Sequence, residues 1–558
     1  MACFDHWESR CRDPDLHTHA VVSAKVQTVD GTWRALDSQA LHHIAVAASE
    51  MYNTRLEGQL AGRLGVEFHE RERPGSGRDG KQAVRELVGV DDRLVEGFST
   101  RRHQVEAHLA VLVEDYRQAY GREPDMGTLQ RLAGTAVTTD RPAKGTQPRS
   151  FPRLHGGWQM AAVDMAGPEA ARVDRTVGDT VRGRGRSSPP GRLDVGGVAV
   201  GVLARVEGRR ATFGRWHVHA EAERTVRRLG LPVGEQPAAV QAVVAEVLGP
   251  LTLQLTAPEP AAAPGRLRRR DGQSIYVRHA AERYTTGRTL DAERRLVAAA
   301  KTPADVAVAP GLVEAVLSTT SCSPEQADAV RRLATEDRAL DLLVGPAGTG
   351  KTTTLAALVA VWQADGRPVL GLAPSAAAAA VLAAETGVVT ENVAKWLHES
   401  EGQGAGTGRW SMRPGGLVLV DEASMAGTHA LDRLRGQAQH AGAKLVLIGD
   451  PRQLGAVGAG GALRLLEAEV GAARLSEAWR FRQDWERDAA ARVRVGDQGV
   501  VNLYTGHGRL TGGSDAAMAP AAFAGWQADV AAGRSAVLVT GAGVDVADLS
   551  ARARAARV

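Results

Sequence analysis

Along the first 35 residues, apolar and polar positions alternate. The stretch HTHAVVSAKVQTV is rich in Val and keeps the period of two that an antiparallel strand requires. Residues 1–35 therefore predict two strands with a turn at Asp30-Gly31. From about 38 to 135 the spacing becomes helical, as in LVEGFSTRRHQVEAHLAVLVEDYRQAY. Residues 136–150, including VTTDRPAKGTQPRS, read as a polar connection. A second helical region follows, broken by VRGRGRSSPPGR at 181–192 and APEPAAAPGRLRRRDG at 257–272. The first break is a solvated linker rather than a phosphate-binding patch, despite its arginines.

After about 311 the texture changes again. Short apolar runs (ALDLLV, RPVLGLA, GLVLV, AKLVLIG and later SAVLVTG) alternate with helical stretches. Parallel strands covered on both faces by crossover helices look like this. The expected fold class is α/β and α+β multidomain, with no internal repeat.

Composition adds bounds. The chain has 558 residues, enough for about three or four domains, with 44% hydrophobic and 24% charged residues. A formal charge of +4 permits nucleic-acid binding without demonstrating it. The basic residues are almost all Arg, with lysine only at Lys25, Lys81, Lys144, Lys301, Lys351, Lys395 and Lys444. Cys3, Cys11 and Cys322 cannot build a disulfide framework, so a reduced cytoplasmic setting is expected. No apolar run is long enough to span a bilayer, and MACFDHWESR is unlike a signal peptide, so membrane insertion is not expected.

The densest chemistry lies at 345–352, GPAGTGKT, between the predicted strand ALDLLV and the helical TTTLAALVAVWQADG. Gly345, Gly348 and Gly350 let backbone N–H groups converge on phosphate oxygens, and the following helix adds its positive dipole end. Lys351 would reach the β- and γ-phosphates, with Thr352 on Mg²⁺ and Thr353 beside it. GLVLVDEAS ends a second buried strand in two acids: Asp421 to hold Mg²⁺ and Glu422 to activate water. AKLVLIGDPRQL ends a third in Asp450, followed by Gln453, which can reach a γ-phosphate. In SPEQADAV, Gln326 stands a short helix ahead of the first strand and can bracket adenine.

In that order, SPEQ, GPAGTGKTTT, APSAAAAAVL, VDEAS and GDPRQL resemble the first RecA-like domain of RecD-like superfamily-1 helicases over about 320–480. LSEAWRF then resembles the family's next motif, which implies that Arg480 projects to the γ-phosphate. AAFAGWQADV, SAVLVTG and VADLSARARAARV look like the start of a second RecA-like domain. The family's last motifs find no counterpart before Val558, so coupled helicase movement is not expected of this stretch.

The N-terminal FDHWESRCRDPDLHTHAVV brings His6, His17 and His19 close in sequence. On a strand, positions i and i+2 share a face, so His17 and His19 can hold one ion, with His6 from the preceding strand as third ligand. His217 and His219 have the same spacing in RWHVHAEAER but fall on a predicted helix, where i and i+2 diverge. The run HWESRCRDPDLHTH, followed by WRALDSQALHH and YNTRLEGQLAGRLGVEF, resembles relaxases of the MobF (TrwC/TraA) type over roughly 1–150. RWHVHAEAERTVRRLG, RRRDGQSIY and YTTGRTLDAERRLVAAA are similar to the middle of the same relaxase–helicase fusions.

That resemblance implies four segments. These are the C-terminal part of a relaxase palm with helical fingers (1–150), a helical accessory region (151–310), the first RecA-like P-loop domain (311–480) and a partial second one (481–558). It implies ATP with Mg²⁺, a divalent ion (Mg²⁺, Mn²⁺ or Zn²⁺) on the three histidines, single-stranded DNA of the transfer-origin type, and the conjugative transfer machinery. The family's nucleophilic tyrosines lie upstream of its histidines. None precedes His6, and Tyr52 falls in a helical stretch, so DNA nicking is not expected. The reading is thus a fragment of a conjugative relaxase–helicase. Its alternatives are a non-catalytic remnant binding single-stranded DNA and nucleotide, or a RecD-like repair helicase.

Overall fold

In the computed structural model the described residues are 2–71 (without 29 and 37), 84–120, 150–170, 193–256, 264–268, 274–278, 281–400, 411–453 and 460–534 (without 478, 480, 482 and 514). Short pieces at 132–133, 135–136, 536–539, 549 and 552–553 complete them. The chain forms two compact units. One comprises Met1–Asp37, Gln59–Pro189 and Val501–Val558; the other comprises Ser38–Gly58 and Pro190–Val500.

In the first unit, β1 (Ala2–Glu8) and β2 (Pro14–Val21) form an antiparallel hairpin in which His6 faces His17 and Phe4 faces His19 across the strands. Its turn is closed by Ser9 N–H donating to Asp13 O at 2.9 Å, with Arg12 at φ 71°. A second hairpin, β3 (Lys25–Gln27) and β4 (Trp33–Ala35), turns around Gly31 at φ 81°. Four short strands therefore stand where two were expected, because the chain reverses at both Ser9–Asp13 and Thr28–Thr32. Helix α1 (Ser38–Leu64) is divided between the units, its residues up to Gly58 belonging to the second. The helical pattern read over 38–135 is interrupted by a third hairpin, β5 (Phe68–Arg71) and β6 (Val84–Leu87). Helices α2 (Asp92–Gly97), α3 (Thr100–Tyr120) and α4 (Phe151–Ala170) follow. Thr100 Oγ1 donates to Asp13 Oδ1 at 2.6 Å and Trp158 Nε1 donates to Arg12 O at 2.8 Å, so α3 and α4 both fasten the histidine hairpin at its turn.

The second unit starts with a bundle of α5 (Val195–Glu207), α6 (Arg215–Arg228) and α7 (Gln236–Leu248), packed through Val202, Val218, Val226, Val243 and Phe213. The longer part of α1, which belongs here, docks on α6 through largely buried charge. Glu50 accepts from Arg224 at 2.8 Å and lies 3.0 Å from Arg227. A small hairpin, β7 (Leu253–Gln254) with β8 (Tyr284–Thr285), leads into α8 (Gly287–Lys301), α9 (Pro310–Leu317) and α10 (Pro324–Thr335). The breaks at 181–192 and, for the most part, 257–272 lie outside the described residues.

The rest of this unit is an all-parallel six-stranded sheet. It contains β9 (Leu340–Val344), α11 (Lys351–Ala364), β10 (Val369–Ala373), α12 (Ala376–Thr386), β11 (Val389–Asn392), α13 (Val393–Ser400) and β12 (Leu417–Val420). It continues through α14 (Thr428–Ala441), β13 (Lys444–Gly449), α15 (Ala462–Val470) and β14 (Ala473–Arg474). The strand order is β11-β10-β12-β13-β9-β14, every pair parallel. The apolar runs explain this: alternate residues enter opposite cores. Leu342, Val418, Val420, Leu445 and Leu447 pack against α8, α13, α14 and α15. Leu343, Leu417, Leu419, Val446 and Ile448 pack against α9, α10, α11 and α12. At about 1.5–3 kcal/mol per large apolar side chain, neither face could be left wet.

Strands β9, β10, β12 and β13 stand where the apolar runs predicted them. The short β11 and β14 carry too few apolar residues to be read in advance. The described residues 536–539 of SAVLVTG form no strand, and VADLSARARAARV lies mostly outside the described residues. Beyond the sheet come α16 (Asp484–Arg494), α17 (Val500–Gly506) and α18 (Asp515–Ala531), the last covering AAFAGWQADV. Among the described residues no helix is long and apolar enough to cross a membrane.

One buried carboxylate joins the helical bundle to the sheet's helices. Glu207, at the end of α5, accepts from Thr286 Oγ1 at 2.5 Å and Thr289 Oγ1 at 3.2 Å, and lies 3.3 Å from His429 Nε2 on α14. The His429 imidazole holds its carboxyl down, from 4.5 to about 2, against the opposing effect of burial. A depressed carboxylate stabilises the fold fully above its unfolded value and loses that contribution as pH falls. Glu207→Gln should therefore lower unfolding free energy by about 2–3 kcal/mol at pH 7. In denaturant melts the gap between variant and parent should close between about pH 4.5 and 2; a gap independent of pH would count against this assignment.

Candidate nucleotide and metal sites

The loop 345–350 joins β9 to α11 at the C-terminal edge of the sheet. Gly348 (φ 84°) and Gly350 (φ 76°) both take the left-handed conformation that side chains resist. A Cβ on Gly350 would also fall 2.2 Å from Gln326 Nε2. The loop closes on itself: Lys351 Nζ donates to Gly345 O at 2.9 Å and Pro346 O at 3.3 Å, and Thr349 Oγ1 donates to Pro346 O at 2.9 Å. Thr352 is half-buried on the first turn of α11, and Thr353 is exposed beside it.

Strands β12 and β13 bring three carboxylates to the same edge. Asp421 Oδ1 accepts from the Glu422 N–H at 2.9 Å, and Glu422 sits at φ 47°, ψ 38°, a strained backbone for a non-glycine residue. Burial pushes the Asp421 carboxyl up, while the Glu422 N–H and the Lys351 ammonium pull it back. Burial, then Asp421, and more weakly Asp450, push Glu422 up, while Lys351 opposes them. Lys351, Asp421, Glu422 and Asp450 thus share one electrostatic neighbourhood. Asp450 is 3% exposed and accepts from the Arg452 N–H at 3.0 Å and from Arg494 Nη2 at 2.5 Å. Gln453 donates its backbone N–H to Asp450 O, and its side chain faces solvent.

Gln326 reaches the loop by a local device. It is the third residue of α10 in a capping box with Ser323: its Oε1 accepts from the Ser323 N–H at 3.0 Å, and its Nε2 donates to Thr349 O at 3.4 Å. Sequence reasoning overlooked three neighbours. Trp479, 55% exposed, donates its N–H to Gly348 O, and its Cδ1 lies 3.8 Å from where a Cβ on Gly350 would stand. Glu325 accepts from Ser476 N–H, Ser476 Oγ and Glu477 N–H, fastening the segment after β14 beside the loop. Arg494 is the third. Trp479 was legible, since it precedes Arg480 in LSEAWRF; no pattern marks Arg494. Arg480 itself lies outside the described residues.

His6, His17 and His19 do converge. Their ligand nitrogens all lie within 4.8 Å of one another, and the ring centroids are 4.6–5.3 Å apart. The cause is the register that sets His6 opposite His17 and leaves His19 two residues on, facing the same way. His17 Nδ1 lies 2.8 Å from Asp15 O, the outer hydrogen bond that fixes an imidazole tautomer and leaves Nε2 free for an ion. His217 and His219 both lie on α6, where His217 Nδ1 accepts from the Gly214 N–H and His219 is buried. Tyr52 is 64% exposed on α1, within the compact unit that does not contain the three histidines.

Comparison with known proteins divides the chain in a similar way. Residues 1–165 match the TrwC relaxase family model and residues 321–515 match an AAA domain model. The probable conjugal transfer protein TraA of Sinorhizobium fredii (strain NBRC 101917 / NGR234) is 35% identical over 190 residues, 34% of this chain and 17% of that protein. The conjugal transfer protein TraA of Rhizobium radiobacter is 32% identical over 191 residues, with the same coverage. The matched part therefore spans about a sixth of these relatives' length. Among solved structures, conjugative relaxase TrwC in complex with OriT DNA is 30% identical over 29% of this chain and 50% of that chain, with a TM-score of 0.21. TrwC complexed with a 27-mer DNA comprising the recognition hairpin and cleavage site is 27% identical over 29% of this chain and 51% of that chain, also with a TM-score of 0.21.

Proposed function

We propose that this chain, whose residues 1–165 match a TrwC relaxase model and residues 321–515 an AAA domain model, is part of a MobF-type relaxase–helicase, and that it binds ATP with Mg²⁺ and single-stranded DNA of the transfer-origin type. The observation that carries the ATP reading is the convergence of Lys351, Asp421 and Glu422 at one sheet edge beside a glycine loop held at positive φ. The site suits the nucleotide chemically. Lys351 now spends its protons on two carbonyls of its own loop, and phosphate oxygens are stronger acceptors. Two half-buried acids, Asp421 raised by burial and Glu422 by burial and by Asp421, are relieved by a cation. Mg²⁺ there would neutralise developing phosphate charge. Glu422 is suited to take a proton from water, Gln326 and the exposed Trp479 flank the purine end, and Gln453 reaches toward the terminal phosphate; Arg480, outside the described residues, is given the same role by the resemblance of LSEAWRF alone. In this reading the sheet from β9 to β14 is the first RecA-like domain, residues 481–558 begin a second, the hairpins with α3 form part of a relaxase palm and its helical fingers, and α4 opens the helical accessory region.

The three imidazoles are proposed to hold a divalent ion, Zn²⁺ or Mn²⁺ by ligand type and Mg²⁺ by phosphate chemistry. When bound, that ion supplies positive charge against a DNA phosphate. The chain's own share is to keep His17 in the metal-ready tautomer through Asp15. The cytoplasm and the conjugative transfer machinery are the matching setting and partner.

Lys351→Ala should abolish saturable binding of a fluorescent ATP analogue while leaving the melting temperature within a few degrees. Equal affinity in parent and variant would remove the ATP reading. For the metal centre, His17→Ala should weaken Mn²⁺ affinity by at least tenfold in calorimetric titration. An unchanged isotherm would leave the histidines as hairpin residues only.

A further inference from the structure

The nucleotide site has a charge problem that Lys351 does not solve. Asp421, Glu422 and Asp450 bring three carboxylates to the end of two adjacent parallel strands, and Lys351 is already engaged with loop carbonyls. A triphosphate approaching that edge meets more negative than positive charge, in surroundings that screen it less than water does.

Arg494 supplies a second cation from outside the sheet. It is the last residue of α16, where a positive charge is also favoured by the helix dipole. Its Nη2 donates to Asp450 Oδ1 at 2.5 Å, with side chains 29% and 5% exposed respectively. Its Nε is buried and, among the described residues, has no hydrogen-bond partner. The Asp450 oxygen that Arg494 holds is the one that accepts the Arg452 N–H, so the carboxylate is fixed from two directions. A guanidinium stays charged at every working pH, which suits a permanent counter-ion better than an ammonium would.

We propose that Arg494 is a positioning residue of the nucleotide site. It pins and neutralises Asp450, so that the third carboxylate does not repel the incoming phosphates, and it ties α16 to the strand that carries that acid. The proposal rests on the ATP reading above.

The test is titration of the full chain with a fluorescent ATP analogue, in EDTA and in excess Mg²⁺, with a thermal melt of each variant. Arg494→Gln should weaken binding about tenfold in EDTA, the scale of one charged hydrogen bond, and less in Mg²⁺, which offsets the freed carboxylate. Arg494→Lys should retain most of the affinity, and Arg494→Gln should cost much less in an Asp450→Asn background. Unchanged affinity in both buffers overturns the proposal, and so does an equal loss with Asp450 already neutral. A lowered melting temperature at unaltered affinity also overturns it, making Arg494 a strap for α16 alone. If the unsubstituted chain binds no triphosphate, the ATP reading falls and takes this proposal with it; binding that ignores Arg494 sinks only the proposal.

Discussion

Concentrated negative charge at the C-terminal edge of a parallel sheet is the constraint around which the second unit is arranged. Strands β12 and β13 end side by side in Asp421-Glu422 and Asp450, where burial raises the Asp421 carboxyl, and burial with the neighbouring Asp421 raises that of Glu422. Such a site is expensive to fold without cations. The structure supplies them from two sides, Lys351 from the start of α11 and Arg494 from the end of α16. The sheet's two apolar cores matter chiefly because they hold these strand ends in register.

The surroundings of that edge are built from helix termini. Gln326 completes the N-terminal cap of α10 and reaches the loop, and Glu325, in the same turn, gathers the backbone that carries Trp479. His429 stands at the start of α14, which begins a few residues after Glu422 and meets Glu207 at the end of α5. The helical bundle is thereby connected to the helix that follows the acidic pair. In the other unit the same economy holds: one two-stranded register gathers three imidazoles, and contacts from α3 and α4 fix its turn.

Much of the acidic sheet edge and its glycine loop was legible because it depends on local chemistry. Glycines before a lysine, and acids ending apolar runs, are readable wherever backbone geometry and charge burial force the residue type. The histidine set was legible because strand periodicity alone places His17 and His19 on one face. Elements decided by distant partners were not legible. The Ser9–Asp13 reversal that splits the first hairpins is stabilised by Thr100 and Trp158, far along the chain. Arg494 looks like any other arginine in an arginine-rich chain. Rarity was also an imperfect guide: Lys444, as scarce a residue type as Lys351, is fully buried, donates to Glu336 O at 2.7 Å and stands 3.8 Å from Asp341. Its partner is a buried acid of β9, within the core of the sheet.

A crystal structure of the chain with a non-hydrolysable ATP analogue and Mg²⁺ tests the central claim most directly. Lys351 Nζ should leave the carbonyls of Gly345 and Pro346 for the β- and γ-phosphate oxygens, with the ion between those oxygens and Asp421. Nucleotide bound elsewhere, with Nζ still on its own loop, would contradict the account.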